Sequence, residues 1–61
     1  MLKRLRQARE EVGLSQVDVA AALKTSQVFV PRVETGERRI DPVELQELAA
    51  LYEKPIVYFL E

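Results

Sequence analysis

A chain of 61 residues, 48% apolar and 31% charged, has room for one small core, and its balance suits a folded domain rather than a disordered tail. Its longest apolar runs, VAAAL at 19–23 and PIVYFL at 55–60, fall far short of a membrane span, and the basic start meets more charge instead of a signal-peptide stretch, so a cytosolic location is expected. The absence of Cys and His removes disulfides and the commonest metal ligands and general bases, so neither an enzyme nor a metal or cofactor is expected.

Leu2, Leu5, Ala8 and Val12 recur at helical spacing up to Gly13, which predicts a first helix over about 1–12 with a left-handed glycine stop. Ser15 opens SQVD, a capping-box start for a second helix over about 16–23. Both serines stand where a helix should begin, so capping explains them better than nucleophilic attack. After Lys24-Thr25, Ser26 can cap a third helix over about 27–35 that ends at Gly36 and carries Pro31 in its interior. Asp41-Pro42-Val43-Glu44 combines an acidic cap, proline at the first helical position and a glutamate at the third, which starts a fourth helix over about 42–53. Pro55 then opens a last helix over about 55–60 whose Ile56, Phe59 and Leu60 fold back on the bundle. The predicted fold is all-α, a single compact domain of five short helices.

Charge is divided along the chain. Residues 1–40 carry eight Lys or Arg against five acids, a balance of +3, whereas residues 41–61 carry Lys54 against five acids, a balance of −4. Only the first part could face phosphate, and ordinary solvated faces would give the same pattern.

Two helices joined by a short turn suit a DNA reader or a plain αα-corner equally. The stretches LKRLRQAREEVGLSQVDVAAAL, TSQ, RVETGERR and IDPVELQELAALYEKPIVYFL carry the chain further. In order, spacing and caps they resemble the helix-turn-helix family of the phage repressors, the group of the lambda and 434 repressors and Cro, over nearly the whole length. The resemblance implies a domain whose third helix enters the major groove of double-stranded DNA at an operator-like site. It also implies a domain that is usually dimeric on DNA, and a weak homodimer through the C-terminal helix is expected here.

Matched position by position, the resemblance puts Gln27, Val28, Pro31 and Arg32 at base edges and Gln16, Arg38 and Arg39 at phosphates, with Arg9 and Glu34 as a structural ion pair between the first and third helices. It leaves Phe29 partly exposed. Tyr58, Phe59 and Leu60 are too many large apolar groups for one short terminal helix to bury, so some of them are expected to form a weak two-fold dimer contact. Three departures stand out: Lys24 replaces the usual turn glycine, and Val28 and Pro31 replace polar groove-facing residues. An interior Pro31 would cost about 3 kcal/mol. Either the third helix begins at Ser26 and kinks, which core contacts at Val30 and Val33 favour, or its first turn loosens and Pro31 becomes its first residue. The kinked form predicts that Pro31→Ser adds about 1 to 3 kcal/mol of stability and improves DNA affinity. The functional expectation is a repressor-like, sequence-specific DNA-binding domain with a more apolar and less competent reading surface. The rival is a protein-interaction module using VFV or IVYFL as an apolar patch.

Overall fold

The computed structural model describes residues 1–60, in which five helices follow one another with no strand among the described residues. They are α1 (Leu2–Glu11), α2 (Gln16–Ala22), α3 (Phe29–Thr35), α4 (Pro42–Leu51) and α5 (Val57–Leu60). Leu5 and Ala8, Val19, Phe29, Val30 and Val33, Leu45, Leu48 and Ala49, Tyr52 and Phe59 converge on one core. Both α1 and α2 pack against α3, and α1 also meets α5. The third helix is therefore fixed along its inner side, and its outer side is left to solvent.

Two helix starts are written locally. Ser15 Oγ accepts from the Asp18 N–H at 3.0 Å while Asp18 Oδ2 accepts from the Ser15 N–H at 3.0 Å. Asp41 and Glu44 repeat this box at 2.7 and 3.1 Å, with Pro42 behind the cap where no amide is needed. Three helix ends also share one geometry. Gly13, Lys24 and Glu53 take left-handed φ values of 76°, 55° and 59°. The residue after each donates to a carbonyl five positions back, as Leu14 does to Arg9, Thr25 to Ala20 and Lys54 to Ala49. Lys24 thus makes its turn without glycine, and Glu53 does the same, each at roughly 1 kcal/mol. Gly36, at φ 82°, has a second constraint, because a Cβ there would lie 3.0 Å from Leu2 Cδ1.

The helices are shorter than the sequence predicts, chiefly because Val12, Leu23 and Tyr52 are half-helical caps and not interior residues. The third differs for a physical reason. It begins at Phe29, neither at Ser26 nor at Pro31. Ser26 organises a tight turn ahead of it, its carbonyl accepting from the Phe29 N–H at 3.0 Å and its Oγ from the Val28 N–H at 3.3 Å. The first four-residue helical bond runs from the Arg32 N–H to the Val28 carbonyl at 3.2 Å. Pro31 therefore occupies the last position whose amide the helix does not use, and its missing N–H costs no helical bond. The proline sets the start of α3 instead of kinking it. Consequently Pro31→Ser should change stability by less than about 1 kcal/mol, with any loss arising from the freer unfolded chain. Parallel urea melts check this, and a gain of 2 kcal/mol or more would contradict the start at Phe29.

The C-terminal segment needs a second correction. Pro55 and Ile56 form a turn ahead of α5, with Tyr58 donating to the Pro55 carbonyl and Phe59 to that of Ile56, both at 3.0 Å. Phe59 is fully buried, packed edge-on against the Tyr58 ring at a centroid separation of 5.0 Å. Arg4 lies over the Tyr58 ring at 4.8 Å, and Lys54 approaches it at 5.0 Å. Of the three side chains among which a dimer contact is expected, Leu60 is well exposed, with Val57 and Ile56 exposed in the same segment.

Candidate nucleic-acid interface

Position along α3 sorts its side chains into two sets. Val30 and Val33 are buried, while Val28, Arg32 and Thr35 are exposed and Pro31 is half-buried. The outer set recurs at steps of three and four residues and forms one stripe. Gln27 is exposed in the turn ahead of it. All four base-edge candidates, Gln27, Val28, Pro31 and Arg32, lie on or beside this stripe. Thr35 belongs to it as well, outside the candidates the resemblance supplies, and its place seven residues after Val28 is the sequence signal for it. An open cleft brings Pro31, Glu34 and Thr35 up against Ser15 and Gln16 at the start of α2.

Behind the stripe sits a buried polar cluster. Arg9 Nε donates to Glu34 Oε2 at 2.7 Å, Nη2 to Oε1 at 3.3 Å, and Nη1 to the Leu14 carbonyl at 2.9 Å. The two side chains are only 10% and 7% exposed, so the pair is shielded from solvent. The Glu34 hydrogen bond holds Arg9 above its ordinary range in spite of burial. Gln16, a phosphate candidate, donates its amide to Glu34 Oε1 at 3.2 Å. One carboxylate thus ties α1, α2 and α3 together.

The two loop arginines separate. Arg38 places both terminal nitrogens on Glu44 at 3.0 Å, donates to the Arg39 carbonyl at 2.8 Å and lies 4.7 Å over the Phe29 ring. These hydrogen bonds hold Arg38 above its usual range and Glu44 below its own. Phe29 is 6% exposed beneath that guanidinium, so it is buried and not partly exposed as the resemblance implies. Arg39 is exposed and has no carboxylate partner among the described residues. Arg32 meets Glu37 at 3.2 Å, but both are more than half exposed, so that pair exchanges readily with another anion. In the first helix Arg6 pairs with Glu10 at 3.4 Å, and Arg4 donates to the Tyr58 carbonyl at 2.9 Å. Much of the positive charge of residues 1–40 is therefore engaged inside the domain.

Among the described residues no group of acidic side chains could hold a metal ion, and no helix is long and apolar enough to cross a membrane. No curated protein and no solved structure matches the chain. A helix-turn-helix family model matches residues 5–59. That span takes in the paired helices, the outward stripe of α3 and the polar cluster behind it, and the chain belongs to the DNA-binding helix-turn-helix family found in phage repressors.

Proposed function

We propose that the domain is the sequence-specific reading part of a repressor-type transcriptional regulator acting in the cytoplasm, with α3 in the major groove of an operator-like duplex. The observation that carries this reading is the division of α3, whose inner residues are locked into the core while Val28, Pro31, Arg32 and Thr35 stay outside with Gln27 beside them. Arg39 and Gln16 are the proposed phosphate contacts. Arg38 takes a different part, because its guanidinium is held by Glu44 and covers Phe29, the first residue of the reading helix.

Binding to duplex DNA as a function of salt tests the reading. Arg39→Ala should weaken binding to all duplexes alike and flatten the slope of log affinity against log salt by about one unit. Arg38→Ala should leave the slope within about 0.3 of the parent's while lowering the melting temperature. Equal flattening by both variants would return Arg38 to the phosphates, and salt-independent binding would favour apolar docking on a protein. The VFV segment offers little for such docking, since Phe29 and Val30 are buried, whereas the IVYFL segment leaves Ile56, Val57 and Leu60 exposed around a buried Phe59.

The proposed regulator pairs weakly through its carboxyl end. Ile56, Val57 and Leu60 supply the contact, with Tyr58 and Phe59 retained internally. Sedimentation at rising protein concentration should show a monomer–dimer equilibrium that Leu60→Glu abolishes. A parent that stays monomeric at millimolar concentration would remove the dimer from the proposal.

A further inference from the structure

Arg32 is the one cation on the outward stripe of α3, and its guanidinium meets Glu37 at 3.2 Å across the end of the helix, with the two side chains 56% and 66% exposed. The backbone holds them together. Gly36 turns the chain at a left-handed φ of 82°, its N–H donates to the Val33 carbonyl at 3.2 Å, and the Arg38 N–H returns to the Arg32 carbonyl at 3.1 Å. The Thr35 hydroxyl donates to that same carbonyl at 3.2 Å. Glu37, one residue past the glycine, is therefore kept within reach of Arg32. Its other neighbour in the chain, Arg38, gives both terminal nitrogens to Glu44, so Glu37 is left to Arg32.

A carboxylate and a phosphate are like partners for a guanidinium. Moving Arg32 from Glu37 to a DNA phosphate exchanges one open ion pair for another, and a pair this exposed is worth at most about fivefold in an equilibrium constant. The exchange therefore returns little net affinity. The paired O6 and N7 acceptors of guanine outbid the carboxylate, because a bidentate contact there is worth about five- to 150-fold against a wrong base. Even then the cost of leaving Glu37 is subtracted, and the carboxylate stays behind as a bare negative charge beside the phosphates. We propose that Glu37 is an affinity-determining residue, an internal stand-in for phosphate that withholds Arg32 from DNA and lowers the grip of the domain on every duplex. This rests on the major-groove reading above and adds a residue of the same chain that opposes binding.

Glu37→Gln removes the charge and keeps the shape of the side chain. At low salt it should tighten binding to the best duplex selected from a random pool, and to a scrambled duplex of the same length, by about two- to fivefold, and the gain should shrink as salt screens the pair. Arg32→Gln separates competition from simple repulsion. In that background no guanidinium waits to be released, so the gain from Glu37→Gln should be at least about twofold smaller than in the parent. Both side chains are more than half exposed, so the single and double variants should melt with the parent, which keeps differences in binding apart from differences in folding. If the two gains agree within twofold, Glu37 acts only as diffuse charge, the competition is wrong and the DNA-binding proposal stands. If Glu37→Gln weakens binding, Glu37 presents Arg32 to DNA instead of withholding it, and the inference is overturned. Failure of the parent to bind any duplex at low salt would overturn the DNA-binding reading itself, and this inference with it.

Discussion

Replacing Glu34 with Ala is expected to cost about 3 to 5 kcal/mol, which is most or all of the stability of a domain this small. Removing the carboxylate strands the Arg9 guanidinium, only 8% exposed, with the Leu14 carbonyl as its remaining hydrogen-bond acceptor. It also takes the acceptor from Gln16. The loss comes from an uncompensated charge more than from a missing attraction, so the joint replacement Arg9→Met with Glu34→Leu should recover most of it. Urea melts of the parent, Glu34→Ala and the double variant measure the difference. If Glu34→Ala lost less than about 1 kcal/mol, Arg9 would have to reach water on its own, and the cluster would not be what sets α3 against α1 and α2.

A second large effect should appear at high pH. Tyr52 is 1% exposed, and burial, aided by the nearby Glu34 carboxylate and opposed by Arg9, pushes its phenol from the ordinary 10.0 up to about 12. The folded state therefore holds this proton more tightly than the unfolded chain does. Below pH 10 both states keep it and the group has no effect on stability. Between pH 10 and 12 the unfolded chain ionises first, so stability falls as pH rises through the folded value, by about 2 to 3 kcal/mol in all. Tyr52→Phe has no such proton to lose, and its melts over the same range should decline less steeply by that amount. Parallel pH profiles for the two proteins would show that the hydroxyl is solvated in the folded domain.

The parts of this architecture that sequence exposes are those whose physics is local. Ser15 with Asp18, and Asp41-Pro42 with Glu44, satisfy the first amides of α2 and α4 within four residues, and both starts read correctly from the chain. The start of α3 does not, because the Phe29 ring is buried under a guanidinium from a loop nine residues later, which is itself fixed by Glu44. Propensity rules found the problem at Pro31 but not its resolution, since an amide need not be missed when the helix simply begins two residues earlier. For the same reason the bonds of Arg38 to Glu44 and its place over the Phe29 ring are not legible in the sequence around Arg38. Arg9 and Glu34 came from the family resemblance, as residues 25 apart carry no local signal of pairing.

The way α3 begins has a consequence for cooperativity. Where α2 and α4 carry their own caps, α3 has none from Val28, only seven residues, and a first turn secured by groups from α4 and the preceding loop. As an isolated segment it would be far below the length at which a helix persists in water. The element proposed to face DNA therefore exists only while the whole core exists, and partial melting abolishes it instead of leaving a loose but competent reader. Whatever unfolds this domain removes its reading surface to the same extent, so occupancy of a DNA site and survival of the fold become linked equilibria.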